Sequence, residues 1–151
     1  MPSPSPEARA AKSVLTSRRK RVVSLVASLP EAAAILRAKQ HFSLEVRGRK
    51  FGYLLDDHHG DGRLALNCKT APTVNKTLTD VAPERFHIPK YVGKQGWLGL
   101  WIDLPKIDWR EVEDIITEAY LLTAPTSLVA RVERPKAPNL SMQRTADGPY
   151  A

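Results

Sequence analysis

The apolar residues change period along the chain, and each change marks an element. Val22, Val23, Val26 and Leu29 recur at helical spacing. They predict a helix over 17–29, with Ser17 as N-cap and Pro30 as its stop. The Ala-rich "EAAAILRAKQ" continues as a second short helix on this reading. The period then becomes two. Phe42, Leu44 and Val46 alternate with Ser43, Glu45 and Arg47. Across a turn near Gly48, Phe51, Tyr53 and Leu55 answer them, which is a hairpin signal. Leu64, Leu66 and Cys68 alternate with Arg63, Ala65 and Asn67 in a third strand. "TAPTVNKTLTDV" predicts a short helix, capped by Thr70 with Pro72 in its first turn. Strands near 86–88 and over 96–104 follow. Asp108 then caps a helix whose apolar stripe is Trp109, Val112, Ile116 and Tyr120, widened by Ile115 and Ala119. Ala124-Pro125 ends it, and "TSLVARV" is a last short element.

Strands with one apolar and one polar face are the mark of an antiparallel sheet covered on one side only. The predicted fold class is therefore α+β: two layers, an antiparallel β-sheet with helices on one face. The strand over 96–104 breaks the pattern, because it is apolar on both faces. Leu98, Leu100 and Ile102 fit the core; Trp97, Gly99 and Trp101 then share the open face with Ser43, Glu45, Arg47 and Arg63.

The 151 residues suit one domain, and a charged content of 26% against 42% hydrophobic suits an ordinary soluble core. No run approaches the roughly 18 apolar residues of a membrane span. Residues 1–16 read as a disordered Pro/Ser/Ala leader without a secretory h-region, 17–132 as the single domain, and 133–151 as a disordered tail. The lone cysteine, Cys68, excludes an internal disulfide and fits a cytoplasmic protein. The formal charge is +7, and it is unevenly spread. Residues 17–50 carry nine Lys/Arg against Glu31 and Glu45, while 108–118 carry five acids against Arg110. Such polarity suits an acidic partner such as nucleic acid, and equally a basic protein with solvated faces.

On the open face Tyr91, Trp97 and Trp101 offer stacking surfaces, with Arg47, Arg49, Lys50, Lys90 and Lys94 nearby in hairpins. Aromatics interleaved with cations are what a nucleic-acid groove uses: bases stack and cations meet phosphate. The structural alternative is that the tryptophans merely cover the sheet. "RRKR" at 18–21 would sit at a helix N-terminus, where the macrodipole disfavours it; phosphate contact and a solvated first turn both remain open. "DDHHGDG" fails as a calcium loop, since its twelfth position is Cys68, and lacks zinc-ligand spacing. Cys68 with His41 or His87 would make a nucleophile and base, but Cys68 falls on the apolar side of its strand. Glu111, Asp114 and Glu118 read as solvating acids on the last long helix. There is no nucleophile elbow, P-loop or dinucleotide fingerprint. The reading is of a non-enzyme without metal or cofactor, which binds DNA. The alternative is a protein-interaction module that binds a partner or a second copy of itself through the Trp97/Gly99/Trp101 strip.

The motifs also carry a resemblance. "PERFHIPKYVGKQGWLGLWID", the acidic helix after it, and "APTSLVARV" resemble the MmcQ/YjbR-like proteins, with their "P-F-x-x-P-x-Y-x-G-x-x-G-W-V-x-V" hairpin and closing "A-P-K-x-L". "VVSLVASLPE", "VRGRKFGYLL" and "RLALNC" match the family's first helix and central strands, so the resemblance spans roughly 17–131. It implies a small α+β fold like that of secretion chaperones or CyaY-like domains, and a DNA-binding label based on β-wings. Two positions depart from the pattern. Thr126 stands where a basic residue is usual, and Trp101 where Arg or another polar residue is common.

Overall fold

The computed structural model describes residues 11–132. Helix α1 (Lys12–Ala27) is followed by strands β1 (Ala32–Ala38), β2 (His41–Val46), β3 (Arg49–Asp56) and β4 (Leu64–Lys69). Helix α2 (Val74–Val81), strands β5 (Phe86–His87) and β6 (Trp97–Trp101), and helices α3 (Trp109–Leu121) and α4 (Thr126–Val129) follow within the described residues. The strands form one sheet in the order β1-β2-β3-β4-β6-β5, with every neighbouring pair antiparallel. The α+β reading holds.

One sheet face meets the helices. Leu44, Leu54, Leu66, Cys68, Leu98, Leu100 and Ile102 lie in the core with Val22 and Val26 of α1 and Val112, Ile115, Ile116 and Ala119 of α3. Burying side chains of this kind is worth about 1.5–3 kcal/mol each, and it decides which face the helices cover. Asp108 caps α3 as expected, its carboxylate accepting from the backbone N–H of Arg110 and Glu111. The Tyr120 hydroxyl donates to the Pro30 carbonyl at 2.8 Å, tying the end of α3 to the chain leaving α1.

Three expectations change. Residues 32–38 form an edge strand, not a helix: pairing with β2 overrides the helix propensity of the alanines. Helix α1 begins at Lys12, five residues before Ser17, so "RRKR" lies in its second and third turns and the macrodipole argument lapses. α2 starts at Val74, after Thr73, rather than at Thr70.

The third strand holds the correction with most consequence. Leu44 pairs with Gly52, but Glu45 pairs with Lys50, so Phe51 is an extra residue in β3. This bulge reverses the alternation. Phe51 turns into the core, edge to face with Tyr120 at 5.8 Å between ring centres. Gly52 and Leu54 follow it on the core side, and Tyr53 and Leu55 fall on the open face. Tyr53 was expected inside with Phe51; it is outside and available to cover a neighbour.

The disordered leader and tail expected at the two ends lie outside the described residues at 1–10 and 133–151, while Lys12–Thr16, expected in that leader, are helical. Among those described, no helix is long and apolar enough to cross a membrane.

Candidate functional site

The open face is built by β3, β4, β6 and β5. Register places Tyr53 beside Asn67, Asn67 beside Gly99, and Gly99 beside His87. Ala65 pairs with Trp101, and Lys69 with Trp97. The apolar second face of β6 is therefore largely roofed by its neighbours. Trp97 is 5% exposed and stacks on Tyr53, with ring centres 5.5 Å apart. The expectation that Trp97 is a free stacking surface is corrected: the bulge delivers Tyr53 to cover it. Trp101 is half-buried between side chains from the strands on either side of β6. The Arg63 guanidinium carbon lies 3.7 Å from its ring centre, and the His87 ring 3.9 Å away at 20°. Gly99 makes room for this. A β-carbon there would stand 2.3 Å from His87 Nε2.

Arg63 is buried and held by Asp103 through two hydrogen bonds, Nε to Oδ2 at 2.8 Å and Nη2 to Oδ1 at 2.9 Å. Asp103 also accepts from the Leu64 backbone N–H. The geometry is the bidentate fork that compensates a buried charge best. Burial, and then the nearby guanidinium of Arg63, push the His87 imidazole down to about 4, so the ring is neutral near pH 7.

Arg63, Asn67, His87 and Trp101 line a cavity of ≈ 510 Å³, with Lys90 and Tyr91 at its rim. Four polar atoms of this wall are shielded from solvent and lack a hydrogen-bond partner among the described residues: Arg63 Nη1, Asn67 Oδ1, His87 Nδ1 and Trp101 Nε1. An unmet group of this kind costs about 1–3 kcal/mol, so four on one wall are an unusual concentration. The rim is strained as well. Tyr91 has φ 68 and ψ −65, and the Val92 N–H bonds back to the Lys90 carbonyl at 2.7 Å. This is the rare positive-φ γ-turn, held here by a tyrosine that is 79% exposed.

Of the eight residues expected to contact DNA, Arg47, Arg49, Lys50, Lys90, Tyr91 and Lys94 are exposed, and Trp97 and Trp101 are not. The β2–β3 turn and the loop before β6 close the same end of the sheet, because Gly52, Cys68 and Leu98 lie in one row across it. Lys69, on the open face beside Trp97, adds to that end. Four of the eight are engaged within the fold, two of them exposed arginines. Arg47 forms a two-pronged pair with Glu31, at 2.7 and 3.0 Å. Arg49 pairs in register with the core residue Val46, on the helix side of the sheet, and donates to the Thr123 carbonyl. Trp97 and Trp101 are held as described. The basic run near the start is similarly occupied. Arg18 donates to the Ile102, Leu104 and Pro105 carbonyls, Arg19 to that of Gln40, and Arg21 lies over Trp109. These cations tie α1 to the segment after β6, to the β1–β2 turn and to α3.

Two further expectations are corrected or sharpened. Glu111 and Asp114 are buried, not solvating: Glu111 pairs with Arg85 at 3.1 Å, and burial raises the Asp114 carboxyl to about 6. Cys68 is in the core, where desolvation pushes its thiol far up and leaves it a poor nucleophile. Sequence reading placed Arg63 and Asn67 on the open face, but it missed their convergence with His87, which depends on Gly99 and on cross-strand register.

An antiparallel sheet with helices on one face and a polar cavity on the other defines a small α+β domain. The YjbR family model matches residues 27–122, and the chain belongs to that family. Comparison with curated protein sequences returns no match. Among solved structures the chain is similar to the Deinococcus radiodurans protein DR2400, which carries a DUF419 domain. The TM-score is 0.59 at 15% identity, over 80% of this chain and 91% of that one. At that identity the likeness speaks for the fold.

Proposed function

We propose that the protein is a non-enzymatic DNA-binding domain that receives a single strand on the open face of its sheet. The observation that carries this reading is Tyr91, a residue 79% exposed, on a strained turn between Lys90 and Lys94. A projecting aromatic flanked by cations serves unstacked bases, each worth about 1–3 kcal/mol, while the lysines meet phosphate. Lys50 and Lys69 extend the basic surface across the same end of the sheet. A single buried cysteine fits a cytoplasmic setting for this role.

Fluorescence anisotropy with a labelled single strand and a labelled duplex, at low and at physiological salt, tests the reading. Binding that favours the single strand and falls steeply with salt supports it. Absence of binding to either at low salt overturns it.

A second reading has its own observation. β1 is a seven-residue strand at the sheet edge, with Leu36 55% exposed and no proline within it; Arg37 and a register shift between Leu36 and Ala38 interrupt one end, leaving Ala32–Leu36 regular. Such an edge is a template for pairing with another chain or a second copy. A dimer in light scattering that Leu36→Lys makes monomeric, with DNA binding unchanged, supports this alternative.

A further inference from the structure

We infer that the cavity on the open face is a pocket for one nucleobase, with the attached phosphate reaching Lys90 at the rim. The inference deepens the reading of this face as a single-strand surface and rests on that reading for the strand, though not for the base.

The chemistry of the wall selects the ligand. Arg63 Nη1 and Trp101 Nε1 only donate hydrogen bonds, and Asn67 Oδ1 only accepts. All three are shielded and without partners among the described residues. His87 Nδ1, on a ring kept neutral, completes the set. The charge of Arg63 is already matched by Asp103 through two hydrogen bonds, so the back wall is polar without being cationic. A phosphate or carboxylate seated there would meet a balanced ion pair and be repelled by the Asn67 oxygen. A flat, neutral ring with donors and acceptors along one edge would satisfy the wall once side-chain shifts uncover these shielded atoms. The positions are contiguous. Trp101 touches both Arg63 and His87, and Asn67 and His87 flank Gly99 in register. At the mouth are an ammonium group, Lys90, and an exposed aromatic ring, Tyr91. A neutral hydrogen-bonding ring joined to an anionic tail is a nucleotide, and ≈ 510 Å³ lies within the roughly 300–1,000 Å³ of small-ligand pockets.

The base has two possible sources, a free nucleotide or a residue within a strand, and the experiment separates them. The ¹⁵N-labelled full chain is titrated with each of the four deoxynucleoside 5′-monophosphates, and with deoxyribose 5-phosphate as control. The Trp101 indole N–H and the Asn67 side-chain amide are followed by NMR. At least one mononucleotide should shift both signals saturably, and the sugar phosphate should leave them in place. Asn67→Ala should weaken that mononucleotide about tenfold by removing one acceptor. The wild-type comparison stands even if this variant folds poorly. Silence of both signals with all four mononucleotides overturns the inference; so do equal shifts with the sugar phosphate, which mark an anion site only. A companion titration uses a short single strand and the same strand with abasic residues. Weaker binding of the abasic strand supports the pocket. Equal binding of both sinks the pocket and leaves the proposed function standing. Mononucleotide binding without strand binding does the reverse.

Discussion

His87 lies directly over Gly99: a β-carbon on the glycine would stand 2.3 Å from the imidazole Nε2 and 2.4 Å from Cε1. The absence of one methyl group on β6 is what lets a histidine from β5 reach Trp101. Gly99→Ala should displace the ring and cost about 1–3 kcal/mol in urea unfolding, the usual range for forced overpacking. In a His87→Ala background the same substitution should cost much less, because the group it strikes is gone. A coupling energy near zero in that double-mutant cycle would contradict the contact.

The buried pair of Arg63 and Asp103 holds the floor of the same face. Asp103→Asn should destabilise by about 3–5 kcal/mol, since it leaves a desolvated guanidinium without its counter-charge. Replacing both partners, Arg63→Met with Asp103→Leu, should recover part of the loss. Full recovery is not expected, because the Leu64 N–H also loses its acceptor. Urea midpoints of the two variants decide this; a double variant no better than Asp103→Asn would contradict it.

Two buried groups should make stability respond to pH in opposite directions. His87 is held down at about 4, by burial first and Arg63 second. As pH falls from about 6.5, the unfolded chain takes its proton first, and stability declines. Asp114 is held up at about 6, by burial first and then by Glu113, Glu118 and Asp108, against an opposing pull from Arg110. Here the native state takes its proton first, so stability rises on acidification through the same window. The two should nearly cancel in the wild type. Asp114→Asn should be more stable than wild type at neutral pH and should lose stability at about pH 5, as His87 alone then dictates. A variant whose stability is flat or rises between those conditions would contradict the assignment. Glu31 and Glu45, whose carboxyls are lowered by hydrogen bonds from Arg47 and Arg37, cost stability only as pH falls below the ordinary value of 4.5, beneath the pH 5 at which this comparison is read.

The salt dependence of DNA binding should identify the contacting cations. Lys90→Gln and Lys94→Gln should each lower the slope of log K against log salt by about one, as for the loss of a phosphate contact. Tyr91→Ala should weaken binding by about 1–3 kcal/mol and leave the slope alone, since stacking releases no counterion. Arg47→Gln should change neither, because that cation is matched by Glu31.

Much of this architecture was legible in local patterns. Alternation located β2 and β4 with their facing, and the Asp108 cap with its apolar stripe located α3. The two faces of β6 were also read with the right residues in the core. β1 was not legible, because seven residues rich in alanine carry no strand signal until β2 is beside them. The bulge at Phe51 was hidden by a clean alternation of Phe51, Tyr53 and Leu55 that the backbone does not follow. The fate of the arginines was equally invisible. Arg18 and Arg49 end on carbonyls far away in sequence, and only the fold says which cations remain for a partner. His87, Gly99 and Trp101 form one constellation only through cross-strand register.

The central claim is that the open face, and not the helix layer, receives the nucleic acid. Amide chemical-shift mapping of the full chain with a single-stranded DNA tests it most directly. The expected result is a set of perturbations at Lys50, Lys69 and residues 88–101, with α1 and α3 undisturbed. Perturbations confined to α3 or to the edge strand β1, with the open face silent, would contradict the claim.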